Sequence, residues 1–427
     1  VATSGNIHGS PIISKTIEAK KQLEDVADYF LNHNLEIQFP QDDSVLKFVD
    51  NTKIIYRRSR GLAPNYLEIE TTSMEPILAM GAHLKSTFTL VPNGQTYVSQ
   101  YFGNLDNYDV LERFKYTINQ YFELFEIKPK TILVDKHPQY QSSVLGNELA
   151  LKWETNVYEI QHHKSHFTSV LGEHNLFEAD EKILGIVWDG TGLGDDNNIW
   201  GGEFFTYHNK DIVRLTHFEY YDWLANDKMA TEPRLALFSL LNDTFRNRIK
   251  HKFSETEWKI YSKTIKTNTL KTSSVGRLFD AVASALDIVD LNTYEAEAAM
   301  QLENCANTYT KRYYIDFLHE VEYETIPSKQ LVEAILKAYR EGFCKERLAY
   351  SFIYTLAKCI IKTAKSNHIK TIACSGGVFQ NSLLVSILSQ LARKEEINLK
   401  LNRKLSPNDE NVSFGQLMYY RNIENKL

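Results

Sequence analysis

The chain has 427 residues, of which 43% are hydrophobic, and a formal net charge of −6. That length suits roughly three domains and that apolar content a large core, while the acidic balance argues against a nucleic-acid protein held by bulk charge, the basic run "YRRSRG" (56–61) being too short to change it. No apolar run approaches the ~18 residues of a membrane span, and Cys305, Cys344, Cys359 and Cys374 form no CxxC pair, which fits a reducing cytoplasm and neither a zinc ribbon nor a disulfide framework.

The first residue is Val1, and "VATSGN" reads like the interior of a folded unit, so a fragment of a longer chain is expected. Residues 15–34 place Leu23, Val26, Ala27, Phe30 and Leu31 on one face of a predicted helix. Two short strands follow, "SVLKFVD" and "TKIIYRR", and then "SRGLAPNY" (59–66), whose Gly and Pro mark a domain boundary. From about residue 75, "HLKSTFTLVPNGQTYVSQYF" predicts two strands around a turn at Asn93-Gly94, with Lys85 on a strand. A helix over 108–126, a strand over 131–135 and a helix over 162–175 come next. Then comes "ILGIVWDGTGLGDDNNIWGGEFF" (183–205), read as strand, glycine-rich turn, strand. Helices are predicted near 230–242, 273–287, 294–307, 328–342, 345–366 and 412–424, with "KTIACSGGVFQNSLLVSIL" as strand, glycine turn, helix. Strands alternating with helices indicate an α/β fold. Two successive halves, each of hairpin, helix and strand, are compatible with a duplicated one.

The 183–205 stretch invites three readings. A calcium loop starting at Asp189 would need ligands at Leu193 and Trp200, which have none to offer. A dinucleotide fingerprint would need a helix where a strand follows. A hairpin of this kind can instead offer backbone N–H groups to a phosphate, and it leaves Asp189 at a strand end. A plain long hairpin is the structural alternative.

In "QHHKSHF" (161–167), His162 and His166 stand one helical turn apart, close enough for one metal ion to bridge. HxxxH is also common by chance on a surface helix. Two histidines with carboxylates suit Fe(II) or Zn(II) and not calcium. In "ACSGGVFQNSLL" (373–384), Gly376 and Gly377 let a ligand approach the backbone where a helix N-terminus favours an anion, unless the turn is merely tight. Asp409 precedes the last helix, where an acid is favoured in any case, and Lys85 is either a phosphate-holding charge or a solvated lysine.

Taken in order, "MGAHLKSTFTL", "VSQYFGNLDN", "VDKHPQY", "QHHKSH", "WDGTGLGDDNNIWGGEF", "SSVGRLFDAVASAL", "YEAEAAMQLE", "SGGVFQN" and "SPNDE" resemble the HypF family, the carbamoyltransferases of nickel–iron hydrogenase maturation, over nearly the whole chain. Residues 1–66 resemble the end of its α/β YrdC-like domain, through "TSGNIHGSPI", "DDSVLKFVD" and "RRSRGLAP"; residues 67–427 resemble its TsaD-like domain, a duplicated fold of the actin and sugar-kinase type. The resemblance implies passage of a carbamoyl group from carbamoyl-adenylate, made from ATP by the longer protein, to the C-terminal cysteine thiol of HypE. That product becomes the cyanide ligand of the hydrogenase iron. It implies one divalent metal, iron or zinc, held by His162, His166, Asp189 and Asp409, with Lys85, His162 and His166 doing the catalytic work. Lys85, Gly190, Gly192, Gly194, Asp280, Gly376, Gly377 and Asn381 would line the nucleotide site. The glycine turns at 190–194 and 376–377 are expected to face each other across a cleft between the two halves.

The chain departs from the family in lacking its acylphosphatase domain, its CxxC zinc fingers and the front of its YrdC-like domain, so synthesis of the adenylate is not expected of it. The family's "YEGQAAM" reads "YEAEAAM", with Ala296 for glycine, and "PPNDGG" reads "SPNDEN". Three other readings compete. An O-carbamoyltransferase would carry the two domains in the opposite order. A TsaD-type tRNA-modifying subunit is opposed by the YrdC remnant and the acidic charge. A docking platform for HypE would bind without catalysing, and metal content with single-turnover transfer would separate it.

Overall fold

The structure is a computed structural model that describes residues 4–7, 9–67, 75–311 and 313–424. Thr3 and His8 of the "TSGNIHGSPI" segment lie outside the described residues. The chain forms two compact units, one of Val1–Lys47, Lys53–Glu173 and Arg403–Leu427, the other of Phe48–Thr52 and His174–Asn402.

β1 (Val45–Val49) and β2 (Thr52–Arg57) form a two-stranded sheet. Strands β3 (Asn65–Leu67), β4 (Ile77–Ala79), β5 (Thr89–Val91), β6 (Thr96–Val98), β7 (Thr131–Asp135) and β8 (Asn156–Ile160) form a second sheet in the order β3-β6-β5-β4-β7-β8. The turn between β5 and β6 holds Gly94 at φ +86°, as the Asn-Gly pair requires. The helix Tyr108–Phe125 starts where the Asn107 side chain accepts the N–H groups of Asp109 and Val110. Its Val110, Phe114, Ile118 and Phe122 pack with Leu78, Phe88, Leu90 and Ile132 in one apolar core.

The second unit contains β9 (Ile183–Trp188), β10 (Gly202–His208), β11 (Asp211–His217), β12 (Tyr221–Asp222), β13 (Lys271–Thr272), β14 (Thr371–Ser375) and β15 (Asn398–Leu401), its main sheet running β11-β10-β9-β14-β15. β9 and β14 are buried along their whole length and pair in parallel, as apolar runs without alternation predict. Without β3, each main sheet has its strands in the order third, second, first, fourth, fifth. The first three are antiparallel and the last two parallel to the first. The duplicated α/β fold expected from the sequence is thus present in the strand order of both units.

Two local expectations need correction. The helix predicted over 15–34 covers only Thr16–Leu23, and none of its residues is buried. Val26 and Leu31 are fully in solvent. A helix this short draws its stability from packing its apolar face, and here only Ala19 and Leu23 are even partly covered. Lys85 lies in the loop between β4 and β5, not on a strand, with φ +47°. The helix predicted near 412–424 is present, as the α-helix Val412–Tyr419 followed by a π-helical turn, Tyr420–Glu424.

Ala296, where the family resemblance expects glycine, precedes the helix Glu297–Asn307 with φ 60° and ψ 19°. The left-handed region costs an L-residue about 1–2 kcal/mol, partly offset in glycine by its freer unfolded chain. Ala296→Gly should therefore raise stability by up to about 1 kcal/mol, read as a higher urea midpoint at unchanged slope.

Candidate metal centre

The helix His162–Glu173 follows β8 directly and is buried almost all round despite its polar sequence. Its partner is the helix Val412–Tyr419. A Cβ on Gly415 would lie 1.8 Å from the Ser165 carbonyl oxygen, and one on Gly172 would lie 2.6 Å from Met418 Cγ. The two backbones therefore touch through glycines, and Thr168 Oγ1 donates to the Gly415 carbonyl at 2.8 Å. This contact fixes the turn Asp409–Asn411, which leads into the second helix, against the first turn of the histidine helix.

His162 and His166 are fully buried, their ring centroids 4.9 Å apart. Each has one ring nitrogen held by an orienting group. His162 Nδ1 lies 2.8 Å from Asp135 Oδ2 at the end of β7. His166 Nδ1 lies 3.0 Å from Asn411 Oδ1. The Asn411 amide donates its Nδ2 to the Ser406 carbonyl at 2.8 Å, so its oxygen is the atom turned to His166. In both imidazoles Nδ1 is thus the nitrogen turned to an orienting oxygen and Nε2 the one turned elsewhere, the arrangement by which neighbouring groups orient metal-binding histidines. Both Nε2 atoms face Asp409 Oδ1, at 3.8 Å from His162 and 3.6 Å from His166. The three residues offer ligand atoms within 4.8 Å of one another, an N/O set that fits one divalent transition metal. Asp135 and Asn411 were not singled out in the sequence, although "VDKHPQY" and "SPNDEN" contain them.

Lys85 acts electrostatically on Glu410, the neighbour of Asp409. Burial pushes the Glu410 carboxyl up to about 8, and the same cause brings the Arg58 guanidinium down to about 10.

In the second unit Asp189 closes β9 and is nearly buried. Its Oδ1 accepts the N–H of Gly190 at 2.8 Å and of Gly377 at 3.3 Å. The two glycine turns therefore adjoin at the ends of neighbouring strands in one unit; they do not face each other from opposite halves. Gly376 has φ +99°, and a Cβ there would lie 2.2 Å from the Trp188 carbonyl oxygen, so this turn admits no side chain. The Gly194 N–H bonds the Asn198 carbonyl and the Gly192 carbonyl accepts from Trp200, so these groups close the hairpin itself. Asp196 accepts from Asn198 N–H and Trp200 Nε1 and binds the Tyr220 hydroxyl, which makes it a brace of that hairpin. Asn381 caps the helix Ser382–Lys394 through Leu384 N–H. The anion expected at this N-terminus is the chain's own Glu303, whose Oε1 accepts from Ser382 and Leu383 N–H.

Asp280 is buried on the helix Val275–Ala285, with Arg277 Nε 2.8 Å away. Burial raises its carboxyl from 3.8 to about 6, against the pull of Arg277. The folded chain holds this proton more tightly than the unfolded one. Its contribution to stability is therefore complete below pH 3.8 and is lost as pH rises through about 6. Asp280→Asn, which stays neutral, should match wild type near pH 4 and exceed it above pH 6 by on the order of 2 kcal/mol in urea unfolding.

The model of the "HypF Kae1-like domain" matches residues 72–173, and that of the "Carbamoyltransferase, Kae1-like Domain, second subdomain" matches 185–416. A third, the Sua5/YciO/YrdC model described as "Telomere recombination", matches residues 1–59. Carbamoyltransferase HypF of Synechocystis is 32% identical over 98% of this chain and 56% of its own length, and the probable carbamoyltransferase HypF of Methanocaldococcus jannaschii has the same identity and coverage. The chain thus spans just over half the length of these relatives. A crystal structure of full-length HypF in the phosphate- and nucleotide-bound form superposes with a TM-score of 0.89 at 32% identity, covering 99% of this chain and 67% of that one. T. kodakarensis HypF gives 0.87 at 31% identity, covering 97% and 56%.

Proposed function

The chain belongs to the HypF carbamoyltransferase family, and from that premise we propose that it performs the transfer half of the family's reaction. In this reading a thiolate, the C-terminal cysteine of a HypE-type partner, attacks the carbonyl carbon of carbamoyl-adenylate. The thiol proton is given to solvent as the thiolate forms; then the C–S bond forms, the C–O bond to the phosphate breaks, and AMP leaves with that bond's electron pair. The thiocarboxamide then serves the making of a cyanide ligand. Residues 67–427 are the TsaD-like domain of this proposal and residues 1–66 the end of a YrdC-like domain. No helix among the described residues is long and apolar enough to cross a membrane, and we place the reaction in the cytoplasm.

One observation carries the reading. His162 and His166 have their Nδ1 atoms held by Asp135 and Asn411, and their Nε2 atoms turned to Asp409. With Asp189 as fourth ligand, these residues would hold one iron or zinc ion. When bound, such an ion would supply a Lewis-acidic positive charge at the transfer site. The chain's own residues place the ligands: Asp135 and Asn411 hold both imidazoles in orientation. In the same proposal Lys85, Gly190, Gly192, Gly194, Asp280, Gly376, Gly377 and Asn381 form the nucleotide site. Lys85 carries a cation toward the phosphate, and Gly376 and Gly377 bring backbone within reach of it.

The test supplies synthetic carbamoyl-adenylate to the metal-loaded chain with HypE or with HypE lacking its C-terminal cysteine. Carbamoyl on the intact acceptor alone supports the proposal. Equal labelling of both acceptors, or of neither, refutes it.

A further inference from the structure

The metal ligand Asp409 sits in a stretch whose alternate side chains face two ways. Asp409 and Asn411 serve the histidines, as described above. The intervening side chains, all buried, bind the backbone of β2 and the residue after it. Ser406 Oγ donates to the Ile55 carbonyl at 2.8 Å, and Asn408 Nδ2 donates to the Tyr56 carbonyl at 3.1 Å. Glu410 Oε2 accepts the Arg58 N–H at 2.8 Å. The same segment is gripped from its other side, where Arg58 Nη1 donates to the carbonyls of Val98 and Ser99 and the Arg58 carbonyl accepts from Tyr101 N–H.

We infer that Ser406, Asn408 and Glu410 are positioning residues that make the placement of Asp409 depend on the seating of β2. The partners are backbone groups within residues 55–58, so sliding the loop along this segment strains all three bonds. Asn408 links the two roles directly, since its Oδ1 caps the turn through Glu410 N–H while its Nδ2 holds Tyr56. Thr87 Oγ1 adds a bond to the Glu410 carbonyl at 2.8 Å, which leaves the loop little freedom except along β2. Residues 55–58 lie within the segment that matches the Sua5/YciO/YrdC model, and Asp409 within the match to the Kae1-like second subdomain. A shift of β2 would thus be felt at the metal ligand, coupling the state of the N-terminal segment to the transfer site.

This inference rests on the metal reading above, and its test separates the two. Co(II) is titrated into the metal-stripped full chain, and its visible bands report both affinity and coordination. Glu410→Gln keeps an acceptor for Arg58 N–H and should bind Co(II) as wild type does. Glu410→Leu should weaken it about tenfold or more and shift the bands, the scale expected when a group orienting a ligand is lost. Should Glu410→Leu fail to fold, Ser406→Ala and Asn408→Asp, each removing one donor, should weaken Co(II) binding and shift the bands in the same direction. Wild-type affinity and bands in every folded variant would overturn the inference alone. A wild-type chain without Co(II) bands would overturn the metal reading and the inference with it.

Discussion

Asp409→Ala should yield a folded chain that binds no metal and transfers no carbamoyl group. The turn that Asp409 opens is capped by Asn408, whose Oδ1 accepts Glu410 N–H, so the cap survives the substitution. Losing a cap costs about 1 kcal/mol, and the loss here should be smaller. What disappears is the carboxylate between two imidazole nitrogens 3.6 and 3.8 Å away. Without it the two imidazoles remain in the first unit, and affinity should fall by at least about 100-fold, toward the loss expected for a primary ligand. Metal per chain, melting temperature and single-turnover transfer on one preparation check this. A variant with full metal and full transfer that melts a few degrees lower would reduce Asp409 to a surface acid.

Gly415→Val should unfold the first unit or nearly so. The glycine stands where a Cβ would meet the Ser165 carbonyl oxygen at 1.8 Å, its carbon at 2.5 Å and its Cα at 3.0 Å, all backbone atoms that cannot turn aside. The helices must separate or bend, and the Thr168 bond to the Gly415 carbonyl goes with them. Overpacking a core typically costs about 1–3 kcal/mol, and a rigid backbone contact belongs at or above the top of that range. A marginally stable unit tolerates little more. Even Gly415→Ala should lose metal along with stability, because Asp409 lies just ahead of one helix and both histidines lie on the other. Urea unfolding with a metal assay checks this. A Gly415→Val chain of wild-type midpoint would mean that the helices are not in contact there.

Much of this arrangement is legible in the sequence, for identifiable reasons. The i, i+4 spacing of His162 and His166 needs only a helix to bring the rings together, and the helix forms. "TILVD" and "ILGIVW" are apolar without alternation and become buried inner strands. What escapes is what depends on distant segments meeting. His166 and Asn411 are 245 residues apart, and no local pattern pairs them. Ser406, Asn408 and Glu410 read as a polar loop because their partners are backbone groups, which leave no trace in residue type. The N-terminus of Ser382–Lys394 reads as an anion site, and the anion turns out to be Glu303 from another helix. Lys85 reads as a strand residue within an alternating run, yet its backbone sits in the left-handed region. The helix over 15–34 fails for the opposite reason: the pattern is there, but none of the residues in the helix that forms is buried.

The most direct test of the central claim is single-turnover transfer from carbamoyl-adenylate to HypE, measured on one chain before and after metal removal. The account predicts that stripping the metal abolishes transfer and that one equivalent of Fe(II) or Zn(II) restores it. Transfer at an unchanged rate by the metal-free chain would contradict it.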